Sequence, residues 1–216
     1  MAPRKTGHPA RRNPVAVNLA RRQQKPFRLP AFLRSEEAAY RWALKHTDIR
    51  NQWPVEDEAA ERADLRDRIG DYVWKADEIA SRGWARIWRE VTIPAEADPV
   101  EFIDWRCIGK AWSAELQGAG TQGVVPYKGE RQRVVLEARV RARDIDWAYG
   151  FTSFIYYGRD QWEISLLEDA PVRVEAIVAR KYRYDRETVR TALSPPILAN
   201  TGTSGESWAD SCRQRA

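Results

Sequence analysis

The stretch Trp84-Ala85-Arg86-Ile87-Trp88-Arg89-Glu90-Val91-Thr92-Ile93 is where the periodicity of this 216-residue chain changes. Upstream of it, Leu65, Ile69, Tyr72, Val73, Ala76, Ile79 and Ala80 recur at the spacing of one helical face, acids crowd the first turn, and Gly83 supplies a stop. Ser35 opens an earlier helix, with Glu36 and Glu37 placed favourably for its dipole. From Trp84 onward the period is two, and residues 85–93, 134–140, 161–167 and 172–178 read as short strands. The last two flank Glu168-Asp169-Ala170-Pro171, a turn-like tetrad that predicts a hairpin. A Gly-rich stretch at 118–129 and an aromatic stretch at 147–157 read as loops. Helices followed by a run of strands make an α+β plan, without the βαβ alternation of a doubly wound nucleotide fold.

Charge divides the chain differently from its bulk value of +5. Residues 1–34 hold nine Lys or Arg and no acid, whereas residues 35–184 hold 23 bases against 27 acids. The pI of 9.3 is therefore a property of the leader, and the body is net −4. The leader, with prolines scattered among Arg pairs and no apolar period, predicts a disordered basic arm over residues 1–34. It serves either as a solvated or targeting tail or as a polyanion-binding arm. After Asp185 the composition turns to Ser, Thr, Pro and Gly, which predicts a disordered tail over 185–216. Between the tails the chain predicts one domain, 35–184, with a helical layer over 35–83 and strands over 84–184.

Several classes are excluded by the same reading. No apolar run approaches the roughly 18 residues that a membrane span needs. Cys107, Cys212, His8 and His46 offer neither a disulfide framework nor zinc-ligand spacing, so no metal site is expected and a reducing cytoplasm is the expected compartment. Gly118-Ala119-Gly120-Thr121-Gln122-Gly123 matches Gly-x-Gly-x-x-Gly in letters only: no apolar strand precedes it, and Val124-Val125-Pro126 opens no helix.

Three polar features stand out. Alternation places Arg89 on the same face as Ile87, Val91 and Ile93, where a guanidinium is costly unless an anion meets it. It is either bridged to an internal carboxylate, or snorkelling from an edge, or serving as an anion clamp at the floor of a cleft. Gln161 and Glu163 project side by side, opposite the Trp162, Ile164 and Leu166 face, as a solvated strand face or as part of a site. In Gly109-Lys110-Ala111-Trp112-Ser113-Ala114-Glu115, Ser113 either caps a short helix running toward Ala119 or belongs to the same constellation.

Taken in order, Ile87-Trp88-Arg89-Glu90-Val91, then Ile108-Gly109-Lys110-Ala111-Trp112-Ser113, then Gln161-Trp162-Glu163-Ile164-Ser165-Leu166 with Ala170-Pro171-Val172-Arg173-Val174 resemble the Arg-Ser-Glu type of mono-ADP-ribosyltransferases. Val135-Leu136-Glu137-Ala138-Arg139-Val140 and Asp144-Ile145-Asp146-Trp147 look like a strand and turn of the transferase-like domains of bacterial and phage genomes. The likeness covers residues 84–180. Glu90 stands where the family commonly has Gly, and Ser113 is the only hydroxyl of a usual Ser-Thr-Ser triplet.

The resemblance implies a mostly antiparallel two-sheet core and cleavage of NAD between nicotinamide and ribose, with ADP-ribose passing to a protein or nucleic-acid acceptor or to water. It suggests a toxin, an effector or a phage-encoded modifier of host proteins. Glu163 becomes the carboxylate beside the oxocarbenium-like ribose, Arg89 the grip on NAD, Ser113 the brace of Glu163 and Trp112 a wall of the nicotinamide pocket. Gln161 takes the position where arginine-modifying members usually carry Glu, which points to another acceptor residue. The alternative is a transferase-like domain without turnover, a binding or structural protein whose basic arm contacts nucleic acid or a partner.

Overall fold

A computed structural model describes residues 27–53, 55–116, 118–120, 131–157, 162–180 and 188–202. Ser35 does cap the first helix, α1 (Glu36–His46), by accepting the N–H of Ala38 at 3.2 Å. The long helix α2 (Glu58–Arg82) buries Leu65, Ile69, Tyr72, Ala76 and Ile79, the stripe expected from its period. It stops where Gly83, at φ +77°, donates its N–H to the carbonyls of Ile79 and Ala80, a left-handed turn that leads straight into the first strand. A single short turn, α3 (Pro99–Phe102), follows that strand.

The strands are β1 (Trp84–Pro94), β2 (Ala111–Ser113), β3 (Arg131–Arg141), β4 (Glu163–Ser165), β5 (Pro171–Arg180) and β6 (Thr188–Asn200). They form one antiparallel sheet in the order β4-β2-β1-β3-β5-β6. The described residues thus hold an α+β fold with a single sheet where two are expected from the resemblance. Eleven consecutive pairs join β1 to β3, from Trp84 opposite Arg141 to Pro94 opposite Arg131. Because paired residues share a side, Ile87 and Ala138, Arg89 and Leu136, and Val91 and Val134 lie on one face, which builds the core with the helices.

On the other face, Glu137 is buried and bound by Arg190 through two hydrogen bonds, at 2.8 and 3.0 Å. That pairing, with help from Arg86, holds the Glu137 carboxyl below the usual carboxylate range.

Three expectations are corrected. The segments on either side of 168–171 form no hairpin: the chain does turn at Glu168-Asp169, but β4 pairs with β2 and β5 with β3, and three strands lie between β4 and β5 in the order. The 147–157 stretch is a helix, α4 (Trp147–Tyr157), rather than a loop. Its aromatic content favours a strand, yet Trp147, Gly150, Phe151, Phe154 and Ile155 recur at helical spacing and are buried, and the Asp146 carboxylate accepts the N–H of Tyr149. The tail is not disordered over 188–202, since β6 runs along β5 and Thr201 is tied to Leu167 and Ala170.

The leader's boundary also moves. Leu29 and Leu33 belong to the core, and Ala31–Leu33 form a 3-10 turn, so any basic arm ends before Phe27. Among the described residues no helix is long and apolar enough to cross a membrane.

Leu33 is completely buried, so Leu33→Ala is expected to destabilise the fold by about 2–5 kcal/mol, read as a lower denaturation midpoint. For Glu137 the folded pKa is depressed, so its stabilisation is present above the unfolded value near pH 4.5 and is lost as pH falls through the lower folded value. Glu137→Gln should therefore lower stability at neutral pH and flatten its decline below about pH 4.5, which unfolding curves across pH 7 to 3 would show.

Candidate functional site

β1, β2 and β4 are neighbours at one edge of the sheet, and this topology brings the four described candidates onto contiguous strands. Ser113 is the pivot: it stands opposite Trp88 on one side and opposite Glu163 on the other. Trp88, Ser113 and Glu163 therefore make one cross-strand row, while Trp112, opposite Ile164, and Arg89 belong to the next. Adjacent rows leave a pleated sheet on opposite sides, so Arg89 and Glu163 do not share a row, and one ligand meets both only around the edge that β2 and β4 form.

Arg89 occupies the aliphatic face, as its position in the alternation requires. One guanidinium nitrogen, Nη1, donates to the carbonyl of Ala111, while Nε is buried and has no hydrogen-bond partner. No carboxylate of a described residue forms an ion pair with it, which removes the internal-bridge reading among those residues. Burial pushes the Arg89 pKa down, and the proximity of Cys107 and Glu163 only partly offsets this. A positive charge is thus held by one backbone oxygen and by no ion pair among the described residues, an arrangement with unused capacity for an anion.

The lid over Arg89 is the 105–111 loop. Gly109 has φ +77°, and a Cβ there would stand 2.8 Å from Arg89 Nη2. The loop is stitched to the end of β6: Ile108 donates its N–H to the carbonyl of Asn200, and Asn200 donates its N–H to that of Trp105. The segment after residue 185 therefore positions the lid, a role its composition conceals.

Glu163 is half-buried. Its Oε2 accepts a 2.7 Å hydrogen bond from Ser153 Oγ, whereas Ser113 Oγ accepts the N–H of Glu115 at 3.1 Å. The hydroxyl bonded to the glutamate is accordingly that of Ser153 on α4, whereas Ser113 stands opposite Glu163 in the ladder. Ser113 does not cap a helix, being the last residue of β2. Ser153 is hidden in the sequence because it lies in the stretch read as a loop. The signal that finds it is the helical period of that stretch, which puts Gly150 and Ser153 on the side that meets β4. A Cβ on Gly150 would stand 3.1 Å from the Tyr72 hydroxyl and 3.4 Å from the Glu163 carbonyl, so the missing side chain permits the close approach of α4. Burial, then Asp146 and Glu163, push the Tyr72 hydroxyl pKa up and keep it protonated.

Trp112 is almost completely buried and donates its indole N–H to the carbonyl of Gly109 at 3.0 Å. Together with Trp88, Arg89, Ser113 and Ala119 it lines a cavity of about 80 Å³ next to the single β1–β2 pair. Gln161 lies outside the described residues. Compared with models of known families, with curated proteins and with solved structures, the chain matches none.

Gly109→Ala is expected to cost about 1–3 kcal/mol and to push the guanidinium off Ala111. Gly83 provides the control, because it has the same φ and nothing within 4 Å of its missing Cβ. Denaturation should show Gly109→Ala to be the more damaging of the two, and equal losses would contradict the close contact with Arg89.

Proposed function

We propose that the protein cleaves NAD at the nicotinamide–ribose bond and passes ADP-ribose to a macromolecular acceptor, with water as the acceptor in a glycohydrolase mode. The observation that carries this reading is a half-buried arginine, Arg89, whose Nε is enclosed without a hydrogen-bond partner and which has no carboxylate partner among the described residues, at the same sheet edge as a carboxylate held by a hydroxyl, Glu163. NAD is anionic through its diphosphate, and Arg89 offers it a charged hydrogen bond in a place where water competes poorly. Arg89, Trp112, Ser113 and Glu163 also follow one another along the strands in the manner of the Arg-Ser-Glu transferases that the sequence resembles, and an ADP-ribosyltransferase-like core is part of this proposal.

In this mechanism the bond between the nicotinamide nitrogen and the ribose carbon breaks with its electron pair leaving on nicotinamide. Positive charge grows on the ribose, and the Glu163 carboxylate stabilises it. The acceptor's nucleophile then bonds to the ribose carbon and loses its proton. Ser153 limits the cost of orienting Glu163, because the carboxylate is already held before substrate arrives. Gln161, two residues ahead, contributes to acceptor choice. A cavity of about 80 Å³ is smaller than the roughly 300–1,000 Å³ of ligand clefts, so NAD entry requires Gly118 and Ala119, which line it, to move outward.

That closed geometry, with Trp112 buried and Glu163 already bonded, also favours a second reading: a domain that keeps the arrangement for binding or structure without turnover. The two readings part on one assay. Nicotinamide release from labelled NAD by the full chain is expected, falling at least about 100-fold in Glu163→Gln, the scale of losing one preorganised electrostatic group. No release by a folded wild-type chain, or equal release by the variant, would reject catalysis at Glu163.

A further inference from the structure

A second concavity lies in the corner where α2 ends and β1 begins, separate from the Arg89 cavity. Its volume is about 280 Å³, and its walls include Trp84 and Trp88 from alternate positions of β1, with Arg86 between them. Lys75 and Arg82 face them from the last turns of α2. The turn at Gly83 brings these two sets together, because it reverses the chain directly from helix into strand.

Three cations line the groove: Lys75 and Arg82 clamp Glu78 at 3.2 and 2.7 Å, and Arg86 lies 4.0 Å from Glu137 in a looser pair. Arg82 and Arg86 retain 58% and 46% of their side-chain exposure, so both can turn toward a ligand at little cost. Trp84 already takes the guanidinium of Arg139 over its ring, at 4.4 Å from the centroid. Trp88 is in the same cross-strand row as Ser113 and Glu163. Past Lys75, Ile79 and Ala114, which the two spaces share, the groove narrows to a slot lined by Glu163.

We infer that this groove binds a nucleotide unit, with an aromatic base against the Trp84 and Trp88 wall and phosphate on Arg82 and Arg86. Planar indoles beside exposed guanidinium groups match the two halves of a nucleotide, a π face and an anion. An acidic peptide would use the cations and leave the tryptophans unoccupied, and an apolar ligand would leave three charges without water. The same chemistry has two sources: a free mononucleotide, or one nucleotide of a single strand that continues along the arginine-bearing face of the sheet. The inference stands apart from the transferase reading, since binding requires no turnover by Glu163.

The test measures binding of ADP and of a labelled eight-nucleotide single strand to the full chain at physiological salt, by calorimetry and fluorescence anisotropy. Both the Arg82→Glu, Arg86→Glu double variant and Trp88→Ala should weaken binding by about tenfold or more, with Trp88→Phe retaining most of it, as expected for a stacking ring. Similar affinity for ADP and the strand identifies a free-nucleotide site, whereas much tighter and steeply salt-dependent binding of the strand identifies a polynucleotide site. Either result supports the groove. Absence of binding at millimolar ADP and micromolar strand overturns it, and so does binding that persists undiminished in the double variant, because such binding belongs to the basic leader. Circular dichroism of each variant confirms that the fold is intact.

Discussion

The ladder between β1 and β3 sets the side on which the candidate residues of the sheet stand. Eleven pairs in unbroken register give the two strands one face turned to the main core and an opposite face that carries charges, indoles and the buried Val135. A slip of β1 by one residue would turn Ile87 and Val91 out of the core and Trp88 into it, so the register is strongly specified. Since β1 also pairs with β2, and β2 with β4, the same register decides that Ser113 and Glu163 continue the Trp88 row.

One charge does not obey this division. Arg89 sits among Ile87, Val91 and Leu136, and the protein tolerates it by giving it a backbone carbonyl rather than a carboxylate. A carboxylate would satisfy the guanidinium and also occupy it. The lid that covers it depends on a glycine with no Cβ at Gly109 and on backbone hydrogen bonds from the end of β6, elements about 20 and 110 residues further along the chain. Because the 35–184 body is net acidic, the proposed hold on an anion rests on individual groups placed locally and not on a broad positive field.

The helices do more than cover the sheet. Tyr72 of α2 meets Phe151 and Phe154 of α4 with ring centroids 5.2 Å apart, and lies almost parallel to Trp162, beside Glu163, at 6.0 Å. Phe32 and Trp42 extend this cluster to the start of the described chain. Aromatic pairs of this kind add roughly 0.5–1.5 kcal/mol each beyond their buried area, and they make the position of α4, hence of Ser153, a property of the whole helical layer.

The sequence by itself determined what is local. Ser35 and Gly83 mark helix ends because a hydroxyl cap and a left-handed turn depend on neighbouring residues, and the alternation in 84–94 sorts Arg89 from Trp88 without any knowledge of partners. The charge division between the leader and the body is likewise legible in composition, although the buried Leu29 and Leu33 show that composition misplaces its boundary. What only the tertiary structure decided is pairing. Whether β4 meets β5 across its turn or β2 across the sheet, whether β6 forms at all, and whether Ser113 or Ser153 holds Glu163 depend on hydrogen bonds between residues distant in sequence. Those bonds carry no period that a short window can register, because the groups that make them become neighbours only once the core has closed.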